Sequence, residues 1–130
     1  MIGIDTNVLV RFLTQDDPVQ SPQAARFMAT LSADETGFVN VVTLAELAWV
    51  LERSFRLSHG EVADAILLLL ESDTLTFESV TEVFAAFALL EEGKGSLGDA
   101  LIGQLALSAG CSHVATFDVD ACRLPGFALV

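Results

Sequence analysis

Five short apolar runs, each set between stretches of helical pattern, limit what this chain can fold into. Met1 to Ile4, Gly37 to Val42, Leu75 to Phe77, His113 to Phe117 and Phe127 to Val130 read as strands. They are rich in β-branched or aromatic residues and apolar at successive positions. Between them lie helical stretches: Val8 to Leu13, one opened by Ser21-Pro22, Thr43 to Phe55, Ser58 to Glu71, Ser79 to Glu92 and Ser96 to Ala109. Leu44, Leu47, Ala48, Leu51 and Phe55 share one helical face. Pro22 suits a first helical position and Gly110 a helix end. A strand that is apolar on both faces must be covered on both, and intervening helices supply the cover. The expected fold is therefore α/β, with helices layered on a central parallel sheet of four to five strands. No linker, repeat or low-complexity stretch divides the 130 residues, so a single domain over residues 1–130 is expected.

Composition removes several alternatives. Hydrophobic residues make up 52% and charged ones 18%, which excludes a disordered chain or a solvated tail. No apolar run approaches the roughly 20 residues of a membrane span. Asp5 interrupts the start with no basic segment before it, so no secretory signal is expected. Cys111 and Cys122 show neither metal-ligand spacing nor a disulfide framework, and His59 and His113 form no ligand-like pair. The expectation is a reducing cytoplasm and no zinc. The net charge of −12 repels polyanions if the acids are spread evenly. Converging acids would instead hold hard cations, which attract phosphate.

The position of the acids is therefore informative. In parallel sheets, ligands bind beyond the carboxyl ends of strands. Asp5 follows the first strand and Asp118 the fourth, and each equally suits a helix cap. Thr43 to Glu46 and Ser96 to Asp99 match the capping box, as do Ser58 to Glu61 and Ser79 to Glu82. Glu46 and Asp99 differ from the other two in context. Both lie at helix starts with small neighbours, Ala45, Ala48, Gly98 and Ala100, that permit close approach. Gly98 in a first turn is easier to understand beside a crowded site.

Ile4-Asp5-Thr6-Asn7-Val8-Leu9-Val10-Arg11, Glu46-Leu47, Gly98-Asp99-Ala100-Leu101-Ile102 and Thr116-Phe117-Asp118-Val119-Asp120 before Arg123-Leu124-Pro125-Gly126 form an ordered set. It resembles the motifs of PIN-domain ribonucleases, most closely the VapC-type toxins of toxin–antitoxin pairs. The resemblance implies a three-layer α/β/α PIN-like fold with its acids gathered in one groove. It implies that Asp5, Glu46, Asp99 and Asp118 are catalytic and bind Mg²⁺ or Mn²⁺. Asn7 and Thr116 would orient the carboxylates, Arg11 would contact phosphate or form a surface ion pair, and Asp120 would join the site or cap the turn before Arg123. The implied activity is metal-dependent endoribonuclease action on RNA, as a toxin. The implied partners are a VapB-like antitoxin and a second copy in a homodimer. Gly98 and Val119 depart from residues frequent in the family, and Lys and Arg are few for an RNA enzyme.

Carboxylate-held hard ions can activate water, neutralise phosphate oxygens and stabilise a leaving oxyanion. No Ser/His or Cys/His arrangement offers a side-chain nucleophile instead. Two rivals remain at this point. A receiver-like or phosphatase-like phosphotransfer domain would want a second acid beside Asp5 and a Lys near a later strand end, where this chain has Thr6 and only Lys94. A catalytically silent PIN-fold binding module is the other. Trp49 reads as core or interface ahead of a base-stacking platform, and His59 and His113 have no partner for general-base work.

Overall fold

The computed structural model describes all residues, 1–130. The chain runs β1 (Ile2–Gly3), α1 (Thr6–Thr14), α2 (Gln20–Thr30), β2 (Gly37–Val39), α3 (Val41–Arg53), α4 (His59–Leu70) and β3 (Leu75–Phe77). It continues through α5 (Val80–Glu91), α6 (Leu97–Ser108), β4 (Val114–Thr116), a short 3-10 helix (Asp120–Arg123) and β5 (Phe127–Leu129). Every expected strand and helix forms. The largest shift is at Val41 and Val42, which were expected to extend β2 and instead open α3. Asn40 causes it, because its side chain accepts from Thr43 N–H at 2.8 Å and starts the helix early.

All strand pairs are parallel, as expected. The single central sheet is not observed: β1-β2-β3 form one sheet and β4-β5 another. The second sheet is anchored by side chains and not by a ladder to β1. The Phe127 ring lies so close to Gly103 of α6 that a Cβ there would come within 2.8 Å of it. Leu124 is buried against Gly95, again at 2.8 Å from where a Cβ would stand. Arg123 Nη2 donates to the Gly93 carbonyl at 3.0 Å. Four of the five strands are consequently edge strands.

The core is one cluster of 22 buried residues, with α3 at its axis. Leu44, Leu47 and Leu51 of α3 are at most 1% exposed, and α3 packs against α1, α4 and α6. Each such leucine stabilises by roughly 1.5–3 kcal/mol relative to an exposed one. This burial fixes where the first turns of α1, α3 and α6 stand.

Helix ends differ in instructive ways. Ser58 and Glu61 form the expected capping box. Ser79 does not cap α5, because its backbone is left-handed at φ 50°. Glu82 instead accepts from the Ser108 hydroxyl at 2.7 Å, and that bond, then one from its own N–H, holds its carboxyl below the ordinary range. Pro22 is the third residue of α2, not its first, because Asp17 already receives the Val19 and Gln20 N–H groups. Those bonds, Gln20 foremost, lower the Asp17 pKa, with Arg11 adding attraction. Gly110 follows α6 at φ 93°, a conformation that favours glycine. No helix is long and apolar enough to cross a membrane.

Candidate active site

Asp5 occupies the N-cap position of α1, with extended backbone angles. Its Oδ1 accepts from the N–H of its immediate neighbour Thr6 at 2.8 Å. An ordinary cap reaches two or three residues ahead, so this carboxylate stays at the helix mouth and is exposed. Thr6 is buried, and its hydroxyl donates to Glu46 Oε2 at 2.8 Å. One threonine thus binds Asp5 through its backbone and Glu46 through its side chain. Sequence reasoning gave orientation to Asn7 and missed Thr6. The available signal was a hydroxyl beside Asp5 at the start of a helix.

Glu46 is not a capping residue. The cap of α3 is Asn40, which leaves Thr43 inside the helix and Glu46 a full turn beyond the N-terminus. The expected Thr43–Glu46 capping box is therefore absent. Asp99 gives half a box: Ser96 accepts its N–H at 3.2 Å, but the Asp99 carboxylate makes no bond back. Both acids are free of the structural role that their spacing suggested. Gly98 does not relieve crowding, since a Cβ there would meet nothing within 4 Å. Its effect is to leave open the groove beside Asp99.

Two grooves meet at Glu46. One, of about 500 Å³ between α1 and α3, is lined by Asp5, Thr6, Asn7, Arg11 and Glu46, with Phe55 among its apolar residues. The other, of about 460 Å³ between α3 and α6, is lined by Glu46, Glu52 and Asp99, with Trp49, Ile102 and Leu105. Glu46 is thus the acid common to both, beside Asp5 in one groove and Asp99 in the other, and none of the three is ion-paired. Arg11 is committed elsewhere, to Asp16 at 2.8 Å and Gln20 at 2.9 Å. That is the ion-pair alternative anticipated for it.

Asp118 lines neither groove. Thr116 Oγ1 accepts its N–H at 3.0 Å, and Asp118 Oδ1 accepts from Asp120 N–H at 2.9 Å. The Asp118 carboxylate thus closes the turn ahead of the 3-10 helix, which Asp120 opens as first residue with Val119 at the cap position. Thr116 orients the Asp118 backbone and not its carboxylate.

The donor set fits a hard divalent ion, being entirely carboxylate oxygens with no competing cation. The positions do not form a ready cage, because no three Asp, Glu, His or Cys side chains stand close enough to hold one ion. Glu52, also in the α3–α6 groove, was not singled out from the sequence. Its Oε1 is shielded from solvent and accepts no hydrogen bond. His59 Nε2 lies 3.3 Å away, a pairing that holds charge only when the imidazole is protonated.

The sequence matches the PIN domain family over residues 2–126. No curated protein matches it.

Proposed function

The chain belongs to the PIN domain family, and we propose that it is a metal-dependent endoribonuclease acting as the toxin of a toxin–antitoxin pair. PIN domains are generally nucleases that use divalent metal ions. One observation carries the reading: Asp5 and Asp99 line two grooves that share Glu46, and Glu46 and Asp99 are free of the capping roles their spacing suggested. Asp5, Glu46 and Asp99 would hold Mg²⁺ or Mn²⁺, with Asp118 as a further ligand. The ion supplies an activated water and neutralises charge on the phosphate. Thr6 fixes the Glu46 carboxylate in the groove that Asp5 also lines, and the core beneath α3 keeps that wall in place.

The −12 charge and the acid-rimmed grooves suit a basic, amphipathic antitoxin segment whose Arg would reach these acids. Exposed Val80 and Phe84, one turn apart on α5, suit a homodimer. The lack of a ready cage favours a second reading, a catalytically silent PIN-fold module. Incubating the purified chain with total RNA, with and without Mn²⁺, separates the two. Cleavage that needs the metal and vanishes in Asp5→Asn supports the nuclease; intact RNA under both conditions supports the silent module. Light scattering showing only a monomer would remove the homodimer.

A further inference from the structure

Of the six Lys and Arg residues, only Arg11 lines the grooves that flank α1, and it lines both. On one side is the groove between α1 and α3, which holds Asp5 and Glu46. On the other, a groove of about 290 Å³ between α1 and α2 is lined by Asn7, Arg11, Gln20 and Gln23, with Phe27 among its apolar residues. No carboxylate lines this second groove, in a chain with 18 Asp and Glu. Asn7 and Arg11 are four residues apart, so they share one face of α1 and form the crest between the grooves.

The ion pair with Asp16 does not exhaust Arg11. Nε donates to Gln20 and Nη1 to Asp16, while Nη2 makes no bond within the protein. Gln20 gives its carbonyl oxygen to Arg11, so its NH₂ group is the free end. The groove therefore gathers side-chain N–H donors around one fixed cation, with no acid in its wall. Such a set suits an oxyanion with several acceptor oxygens, since a planar guanidinium makes strong, charge-assisted bonds to phosphate.

We propose that Arg11 binds a phosphodiester of the RNA strand next to the one the acids address, with the α1–α2 groove as the strand's path away from the site. The proposal rests on the nuclease reading of Asp5 and Glu46. Arg11 stands about 9 Å of helix beyond Asp5, at 1.5 Å per residue. One phosphate at the acids and its neighbour at Arg11 span that separation. A contact of this kind sets the position of the strand and reads no sequence. Free phosphate or an acidic peptide would meet the same donors, but neither accounts for a cation on the crest beside the acid groove. Asp16 competes with the strand for the same guanidinium, so its removal should free Arg11 for the phosphate.

NMR of the full chain in EDTA can follow the Arg11 Nε–H and the Asn7, Gln20 and Gln23 side-chain amides with no metal present. Uridylyl-uridine, which carries a single phosphodiester, should shift these signals saturably, and uridine should leave them in place. Arg11→Gln should weaken the binding about tenfold, the loss of one charge-assisted contact. Asp16→Asn should tighten it. A purely structural ion pair would give the other pattern, with both variants weakened alike. That pattern overturns the proposal, as do shifts with uridine equal to those with the dinucleotide, or no shifts at all. Inorganic phosphate binding more tightly than the dinucleotide overturns it in favour of a free-anion site. Tetraglutamate binding where the dinucleotide does not overturns it in favour of an acidic protein segment. On oligoribonucleotides with Mn²⁺, Arg11→Gln should raise KM about tenfold and leave kcat within about twofold, with Arg11→Lys between it and wild type. If the dinucleotide binds as expected and no RNA is cut with Mg²⁺ or Mn²⁺, the phosphate contact stands and the nuclease reading fails. If RNA is cut and Arg11→Gln leaves KM unchanged, the nuclease reading stands and the contact fails.

Discussion

The β1–β2–β3 sheet and the β4–β5 sheet share a parallel register and very short strands, yet only the first has a central strand sealed in the core. Val39 in β2 is 1% exposed, whereas Leu129 in β5 is 55% exposed. The candidate acids divide along the same line. Asp5, Glu46 and Asp99 begin or stand on helices seated in the core, while Asp118 lies on an exposed turn where its carboxylate accepts from Asp120 N–H. A site built on packed elements keeps its geometry better than one built on a loop. The packed half should therefore dominate both chemistry and stability.

The largest expected effect tests this for chemistry. Asp5→Asn and Asp99→Asn should each lower RNA cleavage more than about 100-fold, beyond the loss typical of residues that only support a ligand. Asp118→Asn should lower it about tenfold, and Glu61→Gln and Glu82→Gln should leave it unchanged. Saturating Mg²⁺ should raise the melting temperature of wild type and barely move Asp99→Asn, because only a native-state binder is stabilised by mass action. Equal losses in Asp99→Asn and Asp118→Asn would break the comparison.

For stability, Leu47→Ala empties a fully buried position and should cost about 3 kcal/mol, while Leu129→Ala should stay within about 0.5 kcal/mol. Urea melts of both variants measure the gap. Gly95→Ala forces a methyl into the space of Leu124 and should cost about 1–2 kcal/mol. Hydrogen exchange sharpens the point: protection should fall in β4 and β5 before it falls in β2. Uniform loss would mean that the two sheets open as one unit.

The smallest effect is a titration. Glu82 has a folded pKa below its ordinary value of 4.5, first because of Ser108 and then its own N–H. The folded chain thus holds this proton less well than the unfolded chain. The contribution is present above the ordinary value and fades as pH falls through the folded one. Carboxyl NMR should place Glu82 below 4.5, and Ser108→Ala should move it upward towards that value.

Element order was legible in the sequence because each strand is a dense apolar run and each helix carries a face or a capping residue. What misled was choosing among possible caps. Thr43 and Asn40 both suit an N-cap, and α3 begins at Val41 because the Asn40 side chain takes the Thr43 N–H. Ser79 has cap chemistry but a left-handed backbone, which no residue pattern announces. The separation of the sheets was hidden because it depends on Phe127 and Leu124 lodging against Gly103 and Gly95, contacts far apart in the chain. At the site, the acids were legible as types at strand ends and helix starts. The bond from Thr6 to Glu46 crosses 40 positions and was not.

Four edge strands among five leave rows of unpaired N–H and C=O groups open to neighbouring molecules. In a chain that is 52% hydrophobic, such edges invite growth of sheet from one molecule into the next. Two features oppose it: no strand exceeds three residues, so each template is brief, and the charge of −12 keeps molecules apart. The second defence is colloidal and weakens as salt shortens the reach of charge to about 3 Å at 1 M. Concentrated salt, or a pH near 4.2 where the net charge vanishes, is therefore where this chain should precipitate first.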